Sequence, residues 1–125
     1  MKKRIVVGIA ALGILAALAL ARAPQDDALD PLKAAPDTHK LALDNKFLRV
    51  LDVRIPPGKT EPLHRHPHGM SIYFTDWEAT VTEQGKEARM TPRKAGTFAW
   101  SEAIVHTVKN TGKTDAHVLR IELKF

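Results

Sequence analysis

Beyond residue 40 the chain is cut into short apolar or β-branched segments by glycine, proline and asparagine, and no long helical period survives between them. This punctuation limits the fold more than any other feature. Segments too short for stable helices, but rich in residues that suit a pleated surface, pair as strands. Strands are expected at 40–43, 47–55, 70–75, 78–83, 86–91, 97–100, 104–109 and 117–123. Pro56-Pro57-Gly58 and Asn110-Thr111-Gly112 end two of them, Asp76-Trp77 reads as a turn, and Gln84-Gly85 reads as a hairpin turn. In the last strand His117, Leu119, Ile121 and Leu123 alternate with Val118, Arg120 and Glu122, so the leucine side reads as the inward one. Many short strands with Gly/Pro turns define an all-β sandwich or barrel.

The chain has 125 residues, enough for one domain with a core. It has no cysteine, which excludes disulfides, thiolate metal sites and a cysteine nucleophile. Lys2-Lys3-Arg4, an uncharged apolar run over 5–20 and Ala19-Leu20-Ala21 form the three parts of a secretory signal peptide. Residues 1–21 are therefore expected to be a signal, cleaved near Ala21, with an uncleaved membrane anchor as the alternative. A periplasmic or secreted location follows. The net charge of +5 loses Lys2, Lys3 and Arg4 and no acid on cleavage, which leaves +2. So balanced and scattered a charge argues against nucleic acid as a partner. Residues 22–39, with three prolines and four aspartates, read as an extended arm or linker rather than a helix. The domain proper is expected over 40–125.

Three of the six histidines stand within five residues, as His64-Arg65-His66-Pro67-His68. On a strand, His64 and His66 point to one face, and two converging imidazoles begin a metal site. His106, on the apolar strand Ile104-Val105-His106-Thr107-Val108, must find a polar partner or a metal. His117 reads as a core or interface residue, Asn110 as a turn residue, and His39, in the arm, is assigned no role. Tyr73, Phe98 and Trp100 read as barrel-lining residues. Glu102 is a candidate partner or base for His106 by proximity alone. No Gly-rich phosphate loop and no Gly-x-Ser-x-Gly elbow occurs.

Gly58-x5-His64-x-His66 resembles the first half of the first cupin motif, and His106-x3-Asn110 resembles the close of the second, with Gly96 like the glycine that opens it. Asp30-Pro31-Leu32-Lys33, Ala35-Pro36-Asp37-Thr38-His39-Lys40 and Glu122-Leu123-Lys124 are similar to the pattern of small single-domain bacterial cupins. The resemblance covers residues 30–125. It implies a single-domain jelly-roll β-barrel and a divalent metal, one of Fe, Zn, Ni, Mn or Cu, held by His64, His66 and His106. It also implies a small-molecule ligand or substrate and a homodimer.

The chain departs from the family pattern at the fourth ligand. Met70 and Ser71 stand where the motif carries glutamate, and Glu102 and Ile104 replace a proline and a glycine before His106. Four readings stay open: a three-histidine centre with free positions, the same centre with Met70 or His68 as a fourth ligand, a cupin that binds no metal tightly, and an unrelated structural role. The corresponding functions are a metal-dependent oxygenase or isomerase of a small polar molecule, or a non-catalytic module that binds a small molecule or metal.

Overall fold

In the computed structural model, which describes residues 27–125, two antiparallel sheets face each other. The expected signal segment lies outside the described residues. The strands are β1 (His39–Asp44), β2 (Leu48–Ile55), β3 (His64–His66), β4 (Gly69–Tyr73), β5 (Ala79–Glu83), β6 (Arg89–Met90), β7 (Phe98–Ser101), β8 (Ile104–Asn110) and β9 (Ala116–Leu123). One sheet has the order β1-β2-β9-β4-β7 and the other β3-β8-β5-β6. Seven of the eight expected strands fall on observed ones within a few residues. The eighth, at 86–91, shrinks to the two residues of β6.

The arm is not wholly extended. Asp27–Leu29 form a 3-10 turn, and Pro31–Ala34 form one turn of helix, α1. Pro31 sits at the first position, where a missing N–H costs nothing, and the Asp30 side chain accepts from the Leu32 N–H at 2.9 Å. The prolines and aspartates of the arm suggested extended chain here, yet Pro31 starts the helix and Asp30 caps it. The turn matters because it delivers Thr38 and His39 to the barrel interior, where they are 3% and 2% exposed.

The paired strands β2 and β9 show how the interior is divided. Their inward pairs run Arg49↔Glu122, Leu51↔Arg120, Val53↔Val118 and Ile55↔Ala116. One end of the barrel is therefore charged and the other apolar. The apolar end is closed by Leu51, Val53, Ile55, Trp77, Ala79, Val81, Val108, Ala116 and Val118, with Tyr73 packed against them. Asn110, 1% exposed, pins this end by donating to the carbonyls of Ile55 and Thr114 at 2.7 and 2.9 Å.

The inward face of β9 is the opposite of the expected one. Ala116, Val118, Arg120 and Glu122 are buried, and Leu119, Ile121 and Leu123 lie on the outer surface of the sheet. Counting leucines misled because that outer surface is itself apolar. A single row of register partners, Leu43–Val50–Ile121–Met70–Trp100, crosses all five strands on it. Phe98 and Trp100, expected inside, are 73% and 55% exposed there. Tyr73 does line the interior.

Candidate metal centre

β3 is only three residues long, but its pairing fixes the site. His64 lies directly opposite His106 of β8, and His66, two residues on, faces the same way. The His64 and His106 Nε2 atoms are 3.1 Å apart, with ring centroids at 4.7 Å. The His66 ring lies 4.9 Å from that of His64 and 5.4 Å from that of His106. All three histidines singled out from sequence thus converge.

A fourth joins them. His39, at the start of β1, has its ring 4.9 Å from His64 and 5.5 Å from His66. The ligating nitrogens of His39, His64 and His66 lie within 4.8 Å of one another. Sequence reasoning missed His39 because it was counted with the arm. The other two histidines stand elsewhere. His68 packs between Trp100 and Phe125, and His117 hydrogen-bonds to Asp52 at 2.9 Å on the outer face of the sheet.

The imidazoles are oriented from behind. The Nδ1–H of His64 donates to the Pro62 carbonyl at 2.7 Å, and that of His66 donates to Glu122 Oε1 at 2.6 Å. Each bond holds the proton on Nδ1 and leaves the Nε2 lone pair facing the cluster, the arrangement that metal-binding histidines require. Arg49 Nε in turn donates to Glu122 Oε2 at 2.6 Å, and Arg49 Nη1 to Asp30 at 2.7 Å. The chain of contacts therefore runs from the N-cap of α1 to the ring of His66.

Glu61, 2% exposed, is a second acid that sequence reasoning passed over. Its Oε1 accepts from Thr38 and lies 3.3 Å from His39 Nδ1, and its Oε2 lies 4.0 Å from His64 Nε2. Burial pushes the Glu61 carboxyl up to about 7. Burial and then the neighbouring imidazoles push His39 down to about 3 and His106 down to about 2. His64 and His66 are lowered by burial too. All four imidazoles are neutral at pH 7, as ligands must be. Glu61 and His39 consequently meet as a neutral pair over much of the acid range, with the Thr38 hydroxyl hydrogen-bonded to both.

This donor set fits a borderline transition metal. Neutral imidazoles suit Zn, Cu, Fe and Ni. The His106 Nδ1 is buried without a partner, and without a cation its Nε2–H donates to the bare Nε2 of His64 at 3.1 Å. Neither fourth ligand expected from sequence joins the cluster: His68 lies against Trp100 and Phe125, and Met70, between the inward-facing Gly69 and Ser71, pairs with Ile121 and Trp100 on the outer surface. Glu102 also turns outward, accepting from Trp100 Nε1 at 2.7 Å. It is not a partner of His106.

The histidines open onto a cavity of about 140 Å³ that runs along the barrel and is also bounded by Val53, Tyr73, Val118 and Arg120. The chain matches the model of the cupin domain over residues 51–122. It belongs to that family. It is 31% identical over 84 residues to an oxalate-binding protein of Thermotoga maritima, across 66% of this chain and 67% of that one. A cupin domain of Bordetella pertussis Tohama I superposes with a TM-score of 0.65 at 22% identity, covering 70% of this chain and 92% of that one. A cupin 2 conserved barrel protein of Salinispora arenicola gives 0.52 at 17% identity, over 82% and 87%. At those identities the two structures establish the fold alone.

Proposed function

We propose that this protein holds a divalent transition metal through His64, His66 and His106, with His39 as a fourth imidazole, and uses the centre on a small polar molecule. The observation that carries this reading is the pair of hydrogen bonds behind the cluster. Pro62 and Glu122 fix Nδ1 protons on His64 and His66 and so aim two bare nitrogens at His106 and His39. Beyond the 3.1 Å contact of His64 with His106, the nearest acid to a ligating Nε2 is Glu61, 4.0 Å from His64, so the cluster presents lone pairs that a cation would use. A metal there would polarise a carbonyl or activate oxygen or water, so an oxygenase or isomerase is the reaction class.

Cobalt(II) titrated into metal-free protein tests the centre. Visible bands of a nitrogen-ligated ion that saturate near one equivalent, and vanish in the His64→Ala/His106→Ala double variant, are the expected result. Absence of such bands in the wild type contradicts it.

A second reading has its own support. The motif glutamate is replaced, and the relative from Thermotoga maritima is described as a binding protein. The pocket would then bind metal and small molecule without turnover. Turnover of any small substrate that disappears with His106→Ala excludes this reading.

Export by residues 1–21, with a periplasmic or secreted location, rests on the basic, apolar and Ala-x-Ala pattern. No helix among the described residues is long and apolar enough to cross a membrane. The homodimer reading is supported by the uncharged row Leu43–Val50–Ile121–Met70–Trp100, which two copies can bring together without opposing like charges.

A further inference from the structure

Arg120 stands inside the barrel with no carboxylate to match it. It is 5% exposed and points inward from β9, opposite Leu51 on one side and Ser71 on the other. Its Nη1 donates to Ser101 Oγ at 2.6 Å and, at 3.5 Å, to Ser71 Oγ. Its Nη2 donates to the Pro67 carbonyl at 2.6 Å, and its Nε has no partner. Every one of these acceptors is neutral.

Glu122, two residues further along the same face, is the nearest charge of opposite sign on the strand. Its two oxygens are taken by His66 and Arg49. Arg120 is in no ion pair among the described residues, and the one carboxylate whose field reaches it, Glu122, is already paired with Arg49. A charge so placed is costly unless hydrogen bonds and an anion together replace the water it has lost. A hydrophobic residue of the same volume would serve the core better. Evolution of a structural core therefore does not explain the residue, whereas a bound anion does.

The cavity fixes what kind of anion. It is about 140 Å³ and is shared by Arg120 and the histidines, close to the roughly 150 Å³ that admits benzene. A ligand of about six non-hydrogen atoms is thus the upper size. Val53, Tyr73 and Val118 give it an apolar wall, and Arg93 stands at its edge. A short carbon skeleton with a planar anionic group matches both the wall and the fork of a guanidinium.

We infer that the pocket takes a small carboxylate, with Arg120 as the residue that anchors and selects it. For the ligand's second polar group the inference rests on the metal-centre reading above. Arg120 is a specificity residue here, held in place by Ser71, Ser101 and Pro67.

Isothermal titration of nickel-loaded protein with oxalate and malonate, beside their neutral diamides and inorganic phosphate, tests it. The dicarboxylates should bind at least tenfold tighter than the matching diamides and than phosphate. Arg120→Gln should weaken the dicarboxylates at least tenfold, leave the diamides within threefold, and leave nickel affinity within threefold. Arg120→Lys should recover part of the loss. The comparison of carboxylate with diamide in the wild type needs no variant, so a misfolded Arg120→Gln cannot rescue or sink the idea. Equal binding of carboxylates and diamides, phosphate binding as tight as either carboxylate, or no binding of either carboxylate overturns it. Arg120-dependent carboxylate binding in a protein that takes up no nickel would contradict the metal reading and leave this one standing.

Discussion

Glu122 Oε1 accepts the Nδ1–H of His66 at 2.6 Å while its other oxygen accepts from Arg49 Nε, also at 2.6 Å. One carboxylate therefore orients an imidazole and neutralises a cation. Glu122→Gln keeps the volume and removes the charge. One amide oxygen cannot accept from both His66 and Arg49, so either the His66 proton or the Arg49 Nε–H loses its acceptor, and Arg49 keeps only Asp30 as a counter-charge. Metal affinity should fall about 10–100-fold, as when second ligands behind a metal-bound histidine are lost. Stability should fall as well, toward the lower end of roughly 3–5 kcal/mol because Asp30 remains. Titration of metal into the variant, with a parallel urea melt, measures both.

Acid should weaken the metal-free protein through its histidines. Their folded pKa values lie below 6.5, so on acidification the unfolded chain takes up protons that the native cluster refuses, and stability drops as pH falls from about 6.5 toward 3. Glu61 acts in the other direction. Raised to about 7, it binds a proton in the native state between about 4.5 and 7, and its contribution grows as pH falls through that window. The site's net loss should therefore steepen below pH 4.5, where Glu61 no longer offsets it. Melting temperatures of wild type and Glu61→Gln across pH 3–8 check this. In the variant the loss should be steepest from pH 6.5 downward, without the delay.

Gly69 has no room for a methyl group. A Cβ there would run into the Ile121 carbonyl of the neighbouring strand. The position faces inward, in register with Glu122 and Ser101. Gly69→Ala must push β4 from β9 and should cost about 1–3 kcal/mol, as overpacking does. Chemical denaturation of the variant measures the loss, and an unchanged midpoint would show that the strands yield freely.

The outer apolar row makes its own prediction. Trp100, 55% exposed at the end of that row, contributes nothing to the barrel interior. Trp100→Asp should leave the fold and metal uptake intact and convert a dimer to monomer, read by sedimentation velocity. A wild-type protein that sediments as a monomer at tens of micromolar contradicts the pairing.

Much of this was legible in the chain, for identifiable reasons. His64 and His66 share a strand, and period 2 alone places them together. His106 meets them because an apolar strand must bury its histidine somewhere. His39 was hidden by Pro31 and Pro36, which mark α1 and its exit but read as plain linker. Glu122 and Arg120 were hidden by β9 itself. Both of its faces carry apolar residues, so the alternation leaves the inward side undecided, and the choice fell on the leucines. Charges at 120 and 122 on a strand with Val118 were the available signal, since charged residues two apart inside a barrel need each other or a ligand. The position of Met70 was set by register, which only the pairing of β4 with β9 and β7 reveals.

The chemistry proposed for the site depends on a metal held by His64, His66 and His106. Elemental analysis of the purified protein beside His64→Ala and His106→Ala tests it most directly. The wild type should carry a near-stoichiometric transition metal and both variants should lose it, with the fold retained by circular dichroism. A wild type that holds no metal even after reconstitution, or variants that keep it at full occupancy, would show that these three histidines are not a metal centre.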